Sequence, residues 1–171
     1  PLATPCVQRV TSPATRSPFA DRVSALRTFH PLQLFANGEK GWWYDVADLT
    51  TQFLDIAGTT PVTASGSDAV ARIDDKSGNG SNAIKATASA RPILKFLPTS
   101  RRPYHDYDGV DDVLTNSVAV TLTNCTAIRL FAGGVSILTG QTIAAGNSNR
   151  TLDNFGEIVV NRALTAYETA A

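Results

Sequence analysis

The sequence has no methionine, only two cysteines and two histidines, and no excess charge of either sign, with 15 basic residues against 15 acidic ones. Each scarcity closes off a class of function. Cys6 and Cys125 are far apart and neither belongs to a Cys-x-x-Cys or Cys/His spacing, so a structural zinc site is not expected. Two unpaired core thiols are the favoured reading, ahead of a disulfide. His30 lies between Phe29 and Pro31, and His105 between Tyr104 and Asp106, with no Gly-x-Ser-x-Gly elbow nearby. Neither a G-x-G-x-x-G fingerprint nor a P-loop occurs. A neutral chain lacks the field that draws a protein to nucleic acid or to an anionic membrane. No apolar run reaches the roughly 18 residues of a spanning helix. An uninterrupted apolar N-terminal region is also missing, so no secretory signal is expected. With Pro1 first and no methionine anywhere, removal of an initiator methionine is expected.

What is present divides the chain in two. Residues 1–35 hold five prolines with four arginines, Arg9, Arg16, Arg22 and Arg27, against a single acidic residue, Asp21. Proline at that density favours extended geometry, and only the stretch from Phe19 to Phe29 has helical spacing, with Phe19, Val23 and Leu26 in line. Such a segment cannot build its own core. It reads as an arm that orders on a neighbouring subunit, with Arg9, Arg16, Phe19, Arg22 and Arg27 as its contact residues.

Residues 36–171 read as one all-β domain. At 43% hydrophobic residues the chain can bury a core. Trp42, Trp43 and Tyr44 read as a first strand whose rings either pack inside or offer a stacking platform for a glycan. Short strands are expected at 70–73, 82–86, 92–97, 104–107, 113–122, 127–131, 135–138 and 156–161, and a two-turn helix where Thr165 and Glu168 form a capping box. The core is expected to include Trp43, Phe53, Val70, Ile73, Ile93, Leu94, Val113, Leu114, Ile128, Leu130, Ile158, Val159 and Leu164.

Two stretches gather oxygen donors around glycines: DKSGNGSNA at 75–83 and YDGVDD at 107–112. Asp and Asn there cap their own backbone while glycine supplies positive φ. The same residues define a calcium hypothesis, since hard cations take six to eight oxygens. Asp74, Asp75 and Asn79 would supply one corner, and Asp108, Asp111 and Asp112 another. The pairs Asp74–Asp75 and Asp111–Asp112 are adjacent, so their carboxylates diverge, which argues against an acid–base pair and against an enzyme.

GWWYDVADLTTQFLDIAGTTPVT (41–63), DKSGNGSNA with ATASARPIL (86–94), YDGVDDVL (107–114) and GEIVVNRALTAYE (156–168) together resemble a concanavalin A/laminin-G-like protein family of tailed bacteriophages. The four stretches occur in the family's order. The resemblance implies a jelly-roll sandwich of two antiparallel sheets, with the aspartate corners at sheet ends. It implies a multi-copy structural component of the virion (tail, baseplate, neck or capsid decoration) whose partners are other virion proteins. The alternative is a carbohydrate-binding module for a host surface glycan, using Trp42, Trp43 and Tyr44. The interval from Leu114 to Gly156, interrupted by Gly133, Gly134, Gly140 and Gly146, is shorter than in a full laminin-G-like sandwich. A reduced concave sheet is therefore expected, favouring a scaffold over a lectin.

Overall fold

The computed structural model describes residues 29–119, 121–131, 134–144, 148–149 and 154–164. The arm residues Arg9, Arg16, Phe19, Arg22 and Arg27, Cys6, and the helix expected at Thr165–Glu168 lie outside them. Twelve strands are described: β1 (Gly41–Asp45), β2 (Gln52–Phe53), β3 (Asp68–Ala69), β4 (Arg72–Ile73), β5 (Ala83–Ile84), β6 (Ile93–Phe96), β7 (Pro103–Asp106), β8 (Val113–Asn116), β9 (Thr121–Phe131), β10 (Gly134–Ala144), β11 (Ser148–Asn149) and β12 (Asn154–Val160). They form two antiparallel sheets. The larger, of seven strands, runs β10-β9-β12-β7-β6-β3, with β1 also paired to β12; the smaller, of five, runs β11-β8-β5-β4-β2. The all-β expectation holds.

Strand alternation explains how one sheet serves two apolar clusters. β1 and β12 pair Trp42 with Val159, Trp43 with Ile158 and Tyr44 with Glu157. Trp42, Tyr44 and Val159 pack with Leu94, Leu122, Cys125 and Ala127 of the same sheet and with Ile73, Ala83 and Leu114 of the other. That cluster is the core between the sheets. Trp43, Ile158 and Val160 point the opposite way, into a second cluster closed by Leu34 and Phe35. Those two residues sit on a 3-10 turn, Pro31–Phe35, which starts on His30, with Pro31 supplying a fixed φ at its first position.

The second cluster moves the domain boundary. Residues 29–35, read as the end of an arm, belong to the folded body: Leu34 is fully buried and Phe29 packs on the same cluster. A segment with too few apolar residues for its own core had a sheet face to lie on.

Two expected strands are not single strands. The stretch 70–73 is not one strand: β3 ends at Ala69 and pairs with β6, whereas β4 begins at Arg72 and pairs with β2 and β5. Val70 and Ala71, both fully buried, carry the chain through the interior between them. The run 113–122 likewise splits into β8, in the smaller sheet, and the start of β9, in the larger. Of the glycines expected to break the interval from Leu114 to Gly156, Gly133 and Gly146 lie outside the described residues. Gly134 opens β10 and Gly140 lies within it, and the two 11-residue strands of the molecule fall there. Of the expected core, Phe53, Ile93, Ile128, Leu130 and Leu164 are only half-buried. Phe53 falls on the outer face of the smaller sheet, with the Arg72 guanidinium 5.7 Å above its ring.

Candidate functional site

The loop at 74–82 is built around the Asp75 carboxylate. Its Oδ1 accepts from the backbone N–H of Trp43 at 2.9 Å and of Ser77 at 2.8 Å. Its Oδ2 accepts from the Ser77 hydroxyl at 2.8 Å and from the N–H of Ser81 at 3.0 Å. Asn82 accepts from the Asp75 N–H at 2.9 Å, and Asn79 donates its amide to the carbonyls of Glu39 and Gly41 at 3.1 and 3.2 Å. Lys76 completes the clamp. Its ammonium bonds Asp45 at 2.9 Å and Asp48 at 2.8 Å and lies 4.6 Å from the centre of the Trp43 ring. Burial works to lower the Lys76 pKa, but the bonds from Asp48 and Asp45 outweigh it and raise the value. The hydrogen bond from Lys76, reinforced by Thr50, holds Asp48 below the usual carboxylate range. Asp74 is committed elsewhere, to Arg72 Nε at 2.5 Å. Both Asp75 oxygens are thus occupied by two donors each, and the loop is a latch tying β1 to the smaller sheet. It does not present Asp74, Asp75 and Asn79 as a calcium corner.

The second corner is a turn centred on Asp108. Its Oδ1 accepts from the N–H groups of Val110, Asp111 and Asp112 at 2.8, 3.3 and 3.4 Å, while Asp112 Oδ2 accepts from the Asp108 N–H at 3.1 Å. Gly109 supplies the φ of 76° that the turn requires. One carboxylate oxygen from each of Asp108, Asp111 and Asp112 falls within 4.8 Å of the others. The Val110 N–H leads in holding Asp108 low, whereas burial, then the charges of Asp108, Asp111 and Asp106, push Asp112 up. The two corners do not meet. Asp112 precedes the Val113 end of β8, and the 74–82 loop joins its far end, where Ser117 N–H donates to the Asn82 carbonyl at 2.7 Å. At about 3.3 Å per residue, the five residues from Asp112 to Ser117 hold them roughly 16 Å apart.

The aromatic trio is core rather than platform. Trp42, Trp43 and Tyr44 are 4%, 8% and 4% exposed. A sugar-stacking surface needs a ring face open to solvent, and none of these offers one. The Tyr44 hydroxyl meets the Ser81 carbonyl and Asn116 Oδ1, closing the gap between the sheets. His30 caps Trp43 edge-on at 5.5 Å.

Polar groups that sequence reading missed line the inter-sheet space. Glu157, 1% exposed, accepts from Trp42 Nε1 at 3.2 Å and from Arg129 Nε at 2.7 Å. His105 bonds Gln52 across the sheets at 2.7 Å, and Gln52 donates to the Val46 carbonyl at 2.9 Å. The available signal was period two: if Val159 faces the core, Glu157 shares its side. No family model, curated protein or solved structure matches this chain.

Proposed function

We propose that this chain is a structural component of a bacteriophage virion, a concanavalin A-like jelly-roll sandwich of reduced size present in many copies. It meets other virion proteins through residues 1–28 and the surface of the sandwich, and it has no catalytic role. The observation carrying this reading is the placement of the motifs that resemble the phage family. The GWWYD strand pairs directly with the GEIVV strand. The two aspartate corners sit where β4 passes to β5 and where β7 passes to β8, at strand ends, and their carboxylates bind backbone. The motifs thus serve the scaffold, as suits a protein whose work is to hold a shape. Burial of Trp42, Trp43 and Tyr44 removes the support for the glycan-binding alternative.

Fractionation of purified particles by sedimentation, with peptide mass spectrometry across the gradient, tests the reading. Co-sedimentation at a fixed ratio to a major shell or tail protein is expected. Recovery only in the soluble fraction would end it. A chain lacking residues 1–28 is expected to fold yet fail to incorporate.

A further inference from the structure

An exposed strand edge is a row of unpaired N–H and C=O groups that templates another strand, and β proteins guard such edges with short strands, charges, prolines or coverings. Among the described residues every edge but one is guarded. β3 is two residues long and carries Asp68, and β11 is two residues long. β2 is equally short and is closed by a bridge from Phe53 to Pro61. The free side of β1 is covered by loop backbone, with Lys76 N–H donating to the Trp43 carbonyl at 2.9 Å. β10 is the exception over Gly134–Leu138, ahead of the register shifts that follow Leu138. It is the terminal strand of the larger sheet, 11 residues long, and its sequence GVSILTGQTIA has neither charge nor proline. Val135, Ile137 and Leu138 are 60%, 40% and 43% exposed.

We propose that β10 is a docking edge whose occupant is β10 of a second copy, running antiparallel so that two seven-stranded sheets become one. An uncharged strand meets its own copy without repulsion, which favours self-pairing over a charged partner. Geometry points the same way. A two-fold axis normal to the sheet keeps every residue on its own face, so residues of like parity oppose each other. In the central registers Val135 then faces Ile137, or Ile137 its counterpart. Exposed apolar side chains become cross-strand pairs beside Leu130 and Ile128, which flank them on β9. The β9–β10 register shifts after Leu138, and such irregularities twist a strand away. Pairing therefore centres on Gly134–Leu138, and the dimer is reversible and concentration-dependent. The inference deepens the multi-copy part of the assembly reading but is tested apart from particles. Dimers that never enter particles would sink the virion reading alone.

The test is sedimentation velocity of the full chain across a concentration series, with amide hydrogen exchange of 134–138 at both ends. Association with concentration, and slower exchange of these amides when concentrated, are expected. Ile137→Lys and Ile137→Glu should each abolish association while keeping the wild-type thermal midpoint, and mixing the two should restore it. A wild-type monomer with concentration-independent exchange overturns the proposal, as does a dimer that Ile137→Lys leaves intact. Amides protected at every concentration in a monomer would assign the edge to this chain's own arm, which also overturns it. Should the variants fail to fold, the wild-type exchange comparison still decides.

Discussion

Asp75 takes four hydrogen bonds, three from within its own loop and one from Trp43 of β1, so its removal should be felt beyond that loop. Asp75→Ala strands the N–H of Trp43 and of Ser81, and losing bonds to a charged acceptor should cost about 3 kcal/mol. A clear fall in the urea midpoint is expected, and an unchanged midpoint would mean that the latch contributes nothing. At Asp112 the sign is opposite. Its folded pKa is raised, so the protonated form suits the fold, and its contribution is present at acid pH and lost as pH rises through the folded value. Asp112→Asn keeps an oxygen for the Asp108 N–H and sheds the charge. A small gain in thermal midpoint at neutral pH, vanishing in acid, is expected; a loss at neutral pH would contradict the crowding of charge. Calcium at millimolar concentration should leave the wild-type midpoint flat, because the turn's Asp108 oxygen already serves three amides. A rise would instead make Asp108, Asp111 and Asp112 a ligand set.

At the scale of the element, β1 shows both what local reading captures and what it misses. Trp42-Trp43-Tyr44 announces a strand through size and β propensity alone. Why Gly41 opens it is visible only in the fold. A Cβ there would collide with the Val159 carbonyl oxygen across the β1–β12 ladder, and φ is 144°. Because the obstacle is backbone, it cannot rotate away. Gly41→Ala should cost about 3 kcal/mol or more, read as a large fall in thermal midpoint or insoluble protein. A midpoint near wild type would show that the ladder shifts freely. β6, β7 and β12 fall close to where their apolar runs place them. The stretches 70–73 and 113–122 were legible as extended, but neither is a single strand. Periodicity reports which residues share a side, and says nothing of the sheet a strand joins.

For the whole molecule, the decisive feature is a sheet with apolar residues on both faces, one against the smaller sheet and one under the Pro31–Phe35 turn. Truncation separates the two. Deleting residues 1–28 should leave the midpoint nearly unchanged. Deleting 1–35 removes buried Leu34 and Phe35, worth about 2 kcal/mol each on area grounds, and uncovers Trp43, Ile158 and Val160. A drop of about 4 kcal/mol with new binding of a hydrophobic dye is expected for the longer deletion only. Equal behaviour of the two chains would return the boundary to residue 35. By itself the sequence determined the all-β class, most strand positions and the two self-capping aspartate turns, because these depend on alternation and on bonds between near neighbours. The tertiary structure decided the rest: which sheet each strand joined, that Trp42, Trp43 and Tyr44 are buried, that the two acidic corners stand apart, and that Glu157 and His105 lie inside. Those outcomes depend on contacts between residues distant in the chain. Local pattern carries no record of what another segment will bring alongside.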